Sequence, residues 1–259
     1  MKPFQVAIFA ALLVACKDDK KTEVTLAPTA SALAPSTAST TAMTVKFTVN
    51  KGTTSLEMPA PQEKIKAETT EASGDLQIDI HKLDETRGIV KVDLSKLVTK
   101  TFDDAKKNET QSEHAQTWFE ISDKFPADVR EKNRFAEFAI RSINEMATSD
   151  LTKIAATKEA DADVRTANFT AKGELLVHGH KVPRDVKLEA KFYYPAGAAA
   201  DSKPTKVVVK TREPLKVILA EHDIKPRDEA GKLAQKAFSL LGTKVADVAE
   251  VSLEITAAP

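Results

Sequence analysis

The chain has 259 residues, and its 38 Lys and Arg residues balance its 38 Asp and Glu residues, which gives a net charge of zero. No basic stripe stands out that could neutralise a phosphate backbone, so nucleic acid is not an expected partner. Aromatic residues make up 5% of the chain, with one Trp and two Tyr, too few for a surface that stacks bases or sugars. Aliphatic side chains must therefore build the core and line any pocket.

The first residues have the layout of an export signal. Lys2 precedes an apolar run from Phe4 to Val14, which is too short to span a bilayer. Cys16, the only cysteine of the chain, follows directly and has no partner for an internal disulfide. The stretch LVAC resembles the lipobox of bacterial lipoproteins, which implies cleavage of residues 1–15 and lipidation of Cys16. An ordinary signal peptide with an incidental cysteine is the alternative.

Residues 16–43 are charged at first and then rich in Ala, Ser, Thr and Pro, without apolar periodicity. This composition predicts a disordered tether between the lipidated cysteine and a folded domain over residues 44–259. In bacterial lipoproteins an aspartate after the cysteine often marks retention in the inner membrane. Lys17 holds that place here, so the resemblance implies the outer membrane, with the domain facing the periplasm.

From Met43 onward the dominant hydrophobic period is two, which is typical of strands with one apolar face. Two such runs, GDLQIDIHKL and GIVKVDLSKL, are separated by a turn and predict a hairpin. The pattern recurs to give about eight or nine strands, which need a closed barrel or a sandwich to bury their apolar faces. The alternation recurs in RFAEFAIRSI, VRTANFTAKGEL, RDVKLEAKFYY, TKVVVKT, EPLKVIL and AEVSLEI.

Two stretches have helical spacing instead. Residues 108–121 place Ala115, Trp118, Phe119 and Ile121 on one side, and residues 227–242 carry a second stripe that ends at Gly242. The second stripe consists of Leu233, Ala237, Leu240 and Leu241. Both are interpreted as a lid or plug packed on a sheet.

His178 and His180 flank Gly179 between two alternating runs. Residues two apart in a strand point the same way, so both rings could face one metal ion, although no third ligand stands at a fixed spacing. Alternatively, Gly179 and Pro183 mark the end of a hairpin. We favour the hairpin and expect no metal and no cofactor.

The stretch FTAKGELLVHGHKVPRDVKLEAKF resembles the hallmark hairpin of the YceI-like family. ASGDLQIDIHKLDETRGIVKVDLSKLVT is similar to the paired early strands of that family, and PLKVILAEHDIKP with VADVAEVSLEITA to its closing strands. The resemblance implies an all-β fold with minor α content, an extended antiparallel lipocalin-like barrel of about eight strands with one or two helices. It also implies an isoprenoid or other long-chain lipid as ligand. Many related barrels form dimers, so a homodimer is compatible with the resemblance, although no feature of the sequence requires one.

The family motif is structural, so the ligand contacts are inferred from alternation alone. Each candidate could equally be plain barrel core. The candidates are Leu76, Ile78, Ile80, Val90, Val92, Phe138, Ile140, Phe169, Val186, Leu188, Phe192, Val207 and Val209. If the barrel is instead filled by its own large side chains, an envelope-stress or protein-interaction module becomes the alternative function.

Motifs of catalysis are absent from the sequence. It has no Gly-x-Ser-x-Gly, no His-Glu-x-x-His and no glycine-rich phosphate loop, and its eight glycines leave few places for one. The acidic run around Asp161 and Asp163 lacks the glycine and the terminal glutamate of a calcium loop. We therefore expect a binding protein and not an enzyme.

Overall fold

The computed structural model describes residues 24–37, 40–59, 64–228, 230–234 and 246–259. Strands dominate it, which confirms the all-β fold class with minor helical content. The strands are β1 (Thr44–Pro59), β2 (Lys64–Thr69), β3 (Ala72–Asp79), β4 (Arg87–Asp93), β5 (Val98–Thr99), β6 (Phe135–Asn144), β7 (Thr157–Glu159), β8 (Ala162–Val177), β9 (His180–Pro195), β10 (Lys206–Thr211), β11 (Leu215–Ile218) and β12 (Val248–Ala258). The helices are α1 (Ala105–Trp118) and α2 (Ala127–Asn133).

Eight antiparallel strands close into a barrel. Their order around the ring is β1, β3, β4, β6, β8, β9, β10 and β12, and the pairing of β12 with β1 completes the circle. Closure leaves these strands few free edges and gives their alternating apolar residues a common interior. The prediction of about eight barrel strands is confirmed, while β2, β5, β7 and β11 extend the sheet outside the ring.

Strand β1 changes partners halfway along its length. Residues 44–49 pair with β3, and residues 54–59 pair with β2. A register shift between Val49 and Lys51 marks the change, and β1 pairs with β12 on both sides of it. A bulge of this kind bends the strand. We call the end of the barrel that holds the turn between β8 and β9 the hairpin end.

Two apolar clusters occupy the two ends of the interior. The cluster at the opposite end, which we call the distal end, includes Ile80, Leu83, Leu151, Tyr194 and Val207. The cluster at the hairpin end consists of Met58, Leu94, Ile121, Leu175, Val177, Val217, Leu219, Ile224, Ala246 and Ala249, with Trp118 and Phe119 packed against it.

Helix α1 begins three residues earlier than predicted. The side chain of Asp104 accepts hydrogen bonds from the backbone N–H groups of Lys106 and Lys107, which caps the helix, and the helix ends at Trp118. The apolar side predicted for it faces the cluster at the hairpin end, as expected for a plug. Of the second predicted stripe, Ala237, Leu240 and Leu241 lie outside the described residues.

The segment predicted as a tether differs from the prediction where it is described. Residues 24–37 lie along the outside of the barrel, where Leu33 is buried against Ala139 and Leu176. Arg141 donates hydrogen bonds to the Ala34 carbonyl oxygen and to Ser36 Oγ, at 2.9 and 2.6 Å. The signal segment, Cys16 and Lys17 lie outside the described residues. Within the described part of the chain, no helix is both long and apolar enough to cross a membrane.

Candidate lipid-binding lumen

The interior of the barrel contains an apolar lumen. The cavity enclosed by its lining side chains has a volume of about 180 Å³. Nearly all of the surface that borders it is apolar. The lumen runs from Leu83 and Ile143 at the distal end to Val177, Leu219 and Ile224 at the hairpin end. Its length and its apolar lining suit a slender apolar ligand.

Most of the predicted contact residues line this lumen. The structure brings together Leu76, Ile78, Val90, Val92, Phe138, Ile140, Phe169, Val186, Leu188, Phe192 and Val209 around it. Ile80 and Val207 were also predicted as lining, but neither does so. Both are fully buried by neighbouring side chains of the larger cluster and do not border the open space.

The lumen remains open because several inward positions carry small side chains. Ala136, Ala190 and Ala249 stand where larger residues would fill the interior, and Thr54 and Thr211 add two more short side chains. A barrel filled by its own side chains would need large residues at these positions. These small side chains favour an open interior over the self-filled barrel of the alternative interpretation.

Charge is nearly absent from the lining. Among the described lining residues, Glu137 alone is ionisable. Its carboxylate is engaged elsewhere, since Oε1 lies 2.7 Å from Lys91 Nζ and Oε2 accepts a hydrogen bond from the backbone N–H of Leu33 at 3.0 Å. Transfer of an unpaired charge into such surroundings is costly, so the lumen suits an uncharged apolar chain.

Sequence alternation missed part of the lining at the hairpin end. Leu219 and Ile224 belong to a turn and not to a strand, so period-two reasoning could not find them. Phe119 follows the end of α1. The only sequence signal for Phe119 as a lining residue was its place on the apolar side of the predicted helix. Thr54 and Leu56 follow the bulge of β1, and the sequence does not show that shift of register.

His178 and Gly179 form the two-residue turn between β8 and β9, in which Val177 pairs with His180. Their φ angles are 49° and 74°, the positive values that the tight type I′ hairpin turn requires at both positions. Gly179 meets this requirement without strain. The hairpin interpretation of this stretch agrees with the structure.

Both histidines direct Nδ1 toward backbone carbonyl oxygens. Nδ1 of His178 lies 3.0 Å from the His222 carbonyl oxygen, and Nδ1 of His180 lies 2.8 Å from that of Ala27. A carbonyl oxygen can only accept, so Nδ1 carries the proton in each ring. No group of three or more His, Cys, Asp or Glu residues within the described ranges could hold a metal ion.

No family model and no curated protein matches this chain. Several solved structures are similar to it in fold. A polyisoprenoid-binding domain from Saccharophagus degradans is 13% identical, with 82% of this chain and 98% of that chain covered and a TM-score of 0.46. BcnA of Burkholderia cenocepacia is 13% identical, with 79% and 95% covered and a TM-score of 0.43. The YceI protein of Campylobacter jejuni is 15% identical, with 75% and 84% covered and a TM-score of 0.41.

Proposed function

We propose that the barrel binds a long apolar molecule, an isoprenoid or another long-chain lipid, and carries or sequesters it in the cell envelope. The apolar lumen is the observation that supports this proposal most directly. Each methylene group that leaves water contributes about 0.8 kcal/mol, so a long chain in this space gains substantial affinity without a polar anchor. The sequence resemblance to the YceI-like family implies the same class of ligand.

Native mass spectrometry of the purified full chain, followed by organic extraction, tests this function. We expect a bound species of stoichiometric mass that the extract identifies as an isoprenoid or a long acyl chain. A protein that is empty and also fails to take up added polyprenol would contradict the proposal. Such a result would favour a module that acts through its surface.

A pair of matched variants assigns the bound species to the lumen. Ala136 lines the lumen, so Ala136→Phe places a large ring in the space that the ligand would occupy. Val208 alternates with the inward-facing Val207 and Val209 on β10, and Val208→Phe therefore adds the same ring to the outer face. Loss of the bound species in the first variant and its retention in the second is the expected result.

We further propose that Cys16 carries the lipid anchor of an outer-membrane lipoprotein whose barrel faces the periplasm. The LVAC stretch and the lysine at position 17 support this proposal. An anchor of several acyl chains holds a protein on a bilayer, whereas one chain alone is marginal. Incorporation of labelled palmitate into the full chain, and its loss in Cys16→Ala, would test the anchor. Membrane fractionation of the same two proteins would test the location.

A further inference from the structure

The barrel wall has a weak seam at the hairpin end. Strand β10 pairs with β9 only as far as Leu188, and β11 pairs with β12. No strand pairing among the described residues joins residues 181–187 of β9 to β11. One backbone hydrogen bond lies beside this gap, from the N–H of Arg212 to the Lys187 carbonyl oxygen at 2.9 Å. We call this gap, between residues 181–187 on one side and residues 215–222 on the other, the seam.

The lumen lies directly behind the seam. Val186 and Leu188 line it on the β9 side, and Val217 and Leu219 line it on the other side. Side chains bridge the gap on the outside, where Arg184 pairs with Glu221 and Lys187 Nζ lies 3.0 Å from Glu213 Oε1. The Lys187–Glu213 pair is more than half exposed and contributes little stability, whereas the Arg184–Glu221 pair is largely shielded from solvent and must separate when the seam opens. At the hairpin end of the seam, hydrogen bonds of His178 and His222 also join the two flanks. Separation of the flanks between these bonds and Arg212 would give a side entrance to the apolar interior.

Residues 27–30, which we call the latch, close the hairpin end of the seam. The latch bonds to β9 and its turn, where Lys181 N–H donates to the Pro28 carbonyl oxygen and Ala30 N–H donates to that of Gly179, both at 2.8 Å. On the other flank, Ala27 N–H donates to the Glu221 carbonyl oxygen at 3.0 Å. The latch therefore connects both flanks with backbone hydrogen bonds.

The latch is held differently from the segment that follows it. Pro28 and Thr29 are exposed, and Val24 and Leu26 just before the latch are 45% and 49% exposed. Leu33, by contrast, is buried on the outer face of β6 and β8. Segments that bury little apolar surface open at a lower free energy than packed ones. The latch can thus detach while Leu33 stays in place.

We propose that the seam is the entrance through which the apolar ligand reaches the lumen, and that release of the latch opens it. This inference rests on the proposed lipid-binding function.

A reversible cross-link tests the latch. Thr29 and His180 face each other as an antiparallel bridge, a geometry with Cα atoms about 4.5–5.5 Å apart that a disulfide can span. The full chain carrying Cys16→Ser, Thr29→Cys and His180→Cys is compared in its oxidised and reduced forms. The two forms differ only in the cross-link, so the lost His180 ring affects both equally.

Retinol, a fluorescent isoprenoid alcohol, is the probe, and the only tryptophan of the chain, Trp118, reports its arrival by energy transfer. We expect the oxidised form to take up and release retinol at least about tenfold more slowly, with an unchanged dissociation constant. Equal rates in the two forms would overturn the latch and leave lipid binding intact. Failure of both forms to bind retinol or polyprenol would overturn the lipid-binding function and the latch together.

A second variant acts in the opposite direction. Ala27→Pro with Ala30→Pro removes two N–H donors of the latch, which should accelerate uptake and release. Ala34→Pro is the matched control, because the Ala34 amide makes no hydrogen bond to the described residues. Unchanged exchange rates in the double variant, or equal acceleration in the control, would also contradict the latch.

Discussion

His178 donates its Nδ1 proton to the carbonyl oxygen of His222, 3.0 Å away, and so ties the β8–β9 turn to the turn that follows β11. His222 is itself fully buried and donates from Nδ1 to the carbonyl oxygens of His180 and Val177, at 3.1 and 3.3 Å. Nε2 of both rings is buried without a hydrogen-bond partner among the described residues. Protonation of His222 would therefore place a new charge in a poorly solvated site, whereas a proton on Nε2 of His178 would have the Glu120 carboxylate 3.7 Å away.

This arrangement predicts that acid destabilises the hairpin end. Burial lowers the pKa of both His178 and His222 below the ordinary value of 6.5. The unfolded chain binds these protons near about pH 6.5, while the folded protein binds them only at lower pH, so stability falls as the pH drops below that value. Chemical denaturation between about pH 7.5 and pH 5 should show a steady fall in the free energy of unfolding.

The variant His222→Asn provides the control, because the amide can keep a donor near the same carbonyl oxygens but does not titrate. It should be less stable than the parent at neutral pH and lose less stability on acidification. The carboxyl groups of Asp79, Asp93 and Asp150 have pKa values held below 3.8, so they do not titrate in this window. An identical pH dependence in parent and variant would contradict the assignment.

The same substitution should have opposite effects on stability at two threonines that face each other across β1 and β2. Thr54 and Thr69 are register partners and both line the lumen. Thr54 Oγ1 is buried without a partner, whereas Thr69 Oγ1 accepts a hydrogen bond from the Glu71 backbone N–H at 3.2 Å. Thr54→Val should raise the free energy of unfolding by about 1 kcal/mol, and Thr69→Val should lower it by about as much. Denaturant titration measures both, and shifts of the same sign would refute the argument.

Alternation predicted the wall of the lumen better than its ends. Along β4, Val90 and Val92 face inward because successive strand residues alternate sides, and the sequence shows that directly. The sequence does not show how far the open space extends along a strand. Ile80 and Val207 share the inward face, but neighbouring side chains bury both of them fully and separate them from the open space. Their depth depends on the packing of several strands together.

The course of residues 24–37 could not be predicted for a different physical reason. Backbone hydrogen bonds hold the latch, and any residue except proline can donate one, so composition carries no signal for it. Leu33 is the exception, an aliphatic residue that is buried on the outer face of the barrel. One apolar residue among Ala, Ser, Thr and Pro is too weak a pattern to distinguish a docked segment from a free one.

We expect the ion pair of Asp93 and Arg134 to stabilise the fold at the end of β4. Arg134 donates from Nε and one terminal nitrogen to Asp93 Oδ2, at 3.0 and 2.7 Å, and Asp93 Oδ1 caps the following turn at Ser95. Burial pushes the pKa of Asp93 upward, but the hydrogen bonds from Arg134 and Ser95 outweigh it and hold the pKa below 3.8. The stability from this depressed pKa is present above the unfolded value and is lost as the pH falls through the folded value.

We expect Arg134→Met to lower the free energy of unfolding by about 1–2 kcal/mol at neutral pH, a modest figure because the Arg134 side chain is 39% exposed to screening solvent. The loss should shrink as the pH approaches about 3, where the carboxyl group of the variant is already protonated. Lys153→Met is a suitable comparison, since Lys153 lies 3.7 Å from Asp150 and is 73% exposed. A pH-independent loss in Arg134→Met would show that packing, and not the charge pair, is responsible.

Arg165 is a buried cation at the distal end of the barrel, and it has no carboxylate partner among the described residues. Its Nη1 donates to the carbonyl oxygens of Ala200 and Leu151, at 2.9 and 3.2 Å, and its guanidinium lies 5.1 Å from the centre of the Tyr194 ring. Burial raises the pKa of Tyr194 to about 12, so the phenol stays neutral and cannot serve as a counterion.

Arg165→Met keeps much of the side-chain volume but removes the N–H donors that bind the carbonyl oxygens of Ala200 and Leu151 over the distal end. Hydrogen bonds from a charged group contribute about 1.5–3 kcal/mol each, and since only the bond to Leu151 is buried, a loss of about 2 kcal/mol is expected on denaturation. Arg165 does not line the lumen, and retinol should therefore bind the folded variant with unchanged affinity. A variant of parental stability would mean that relief of the buried charge offsets the lost bonds. Weaker retinol binding at full folding would mean that the distal end shapes the lumen after all.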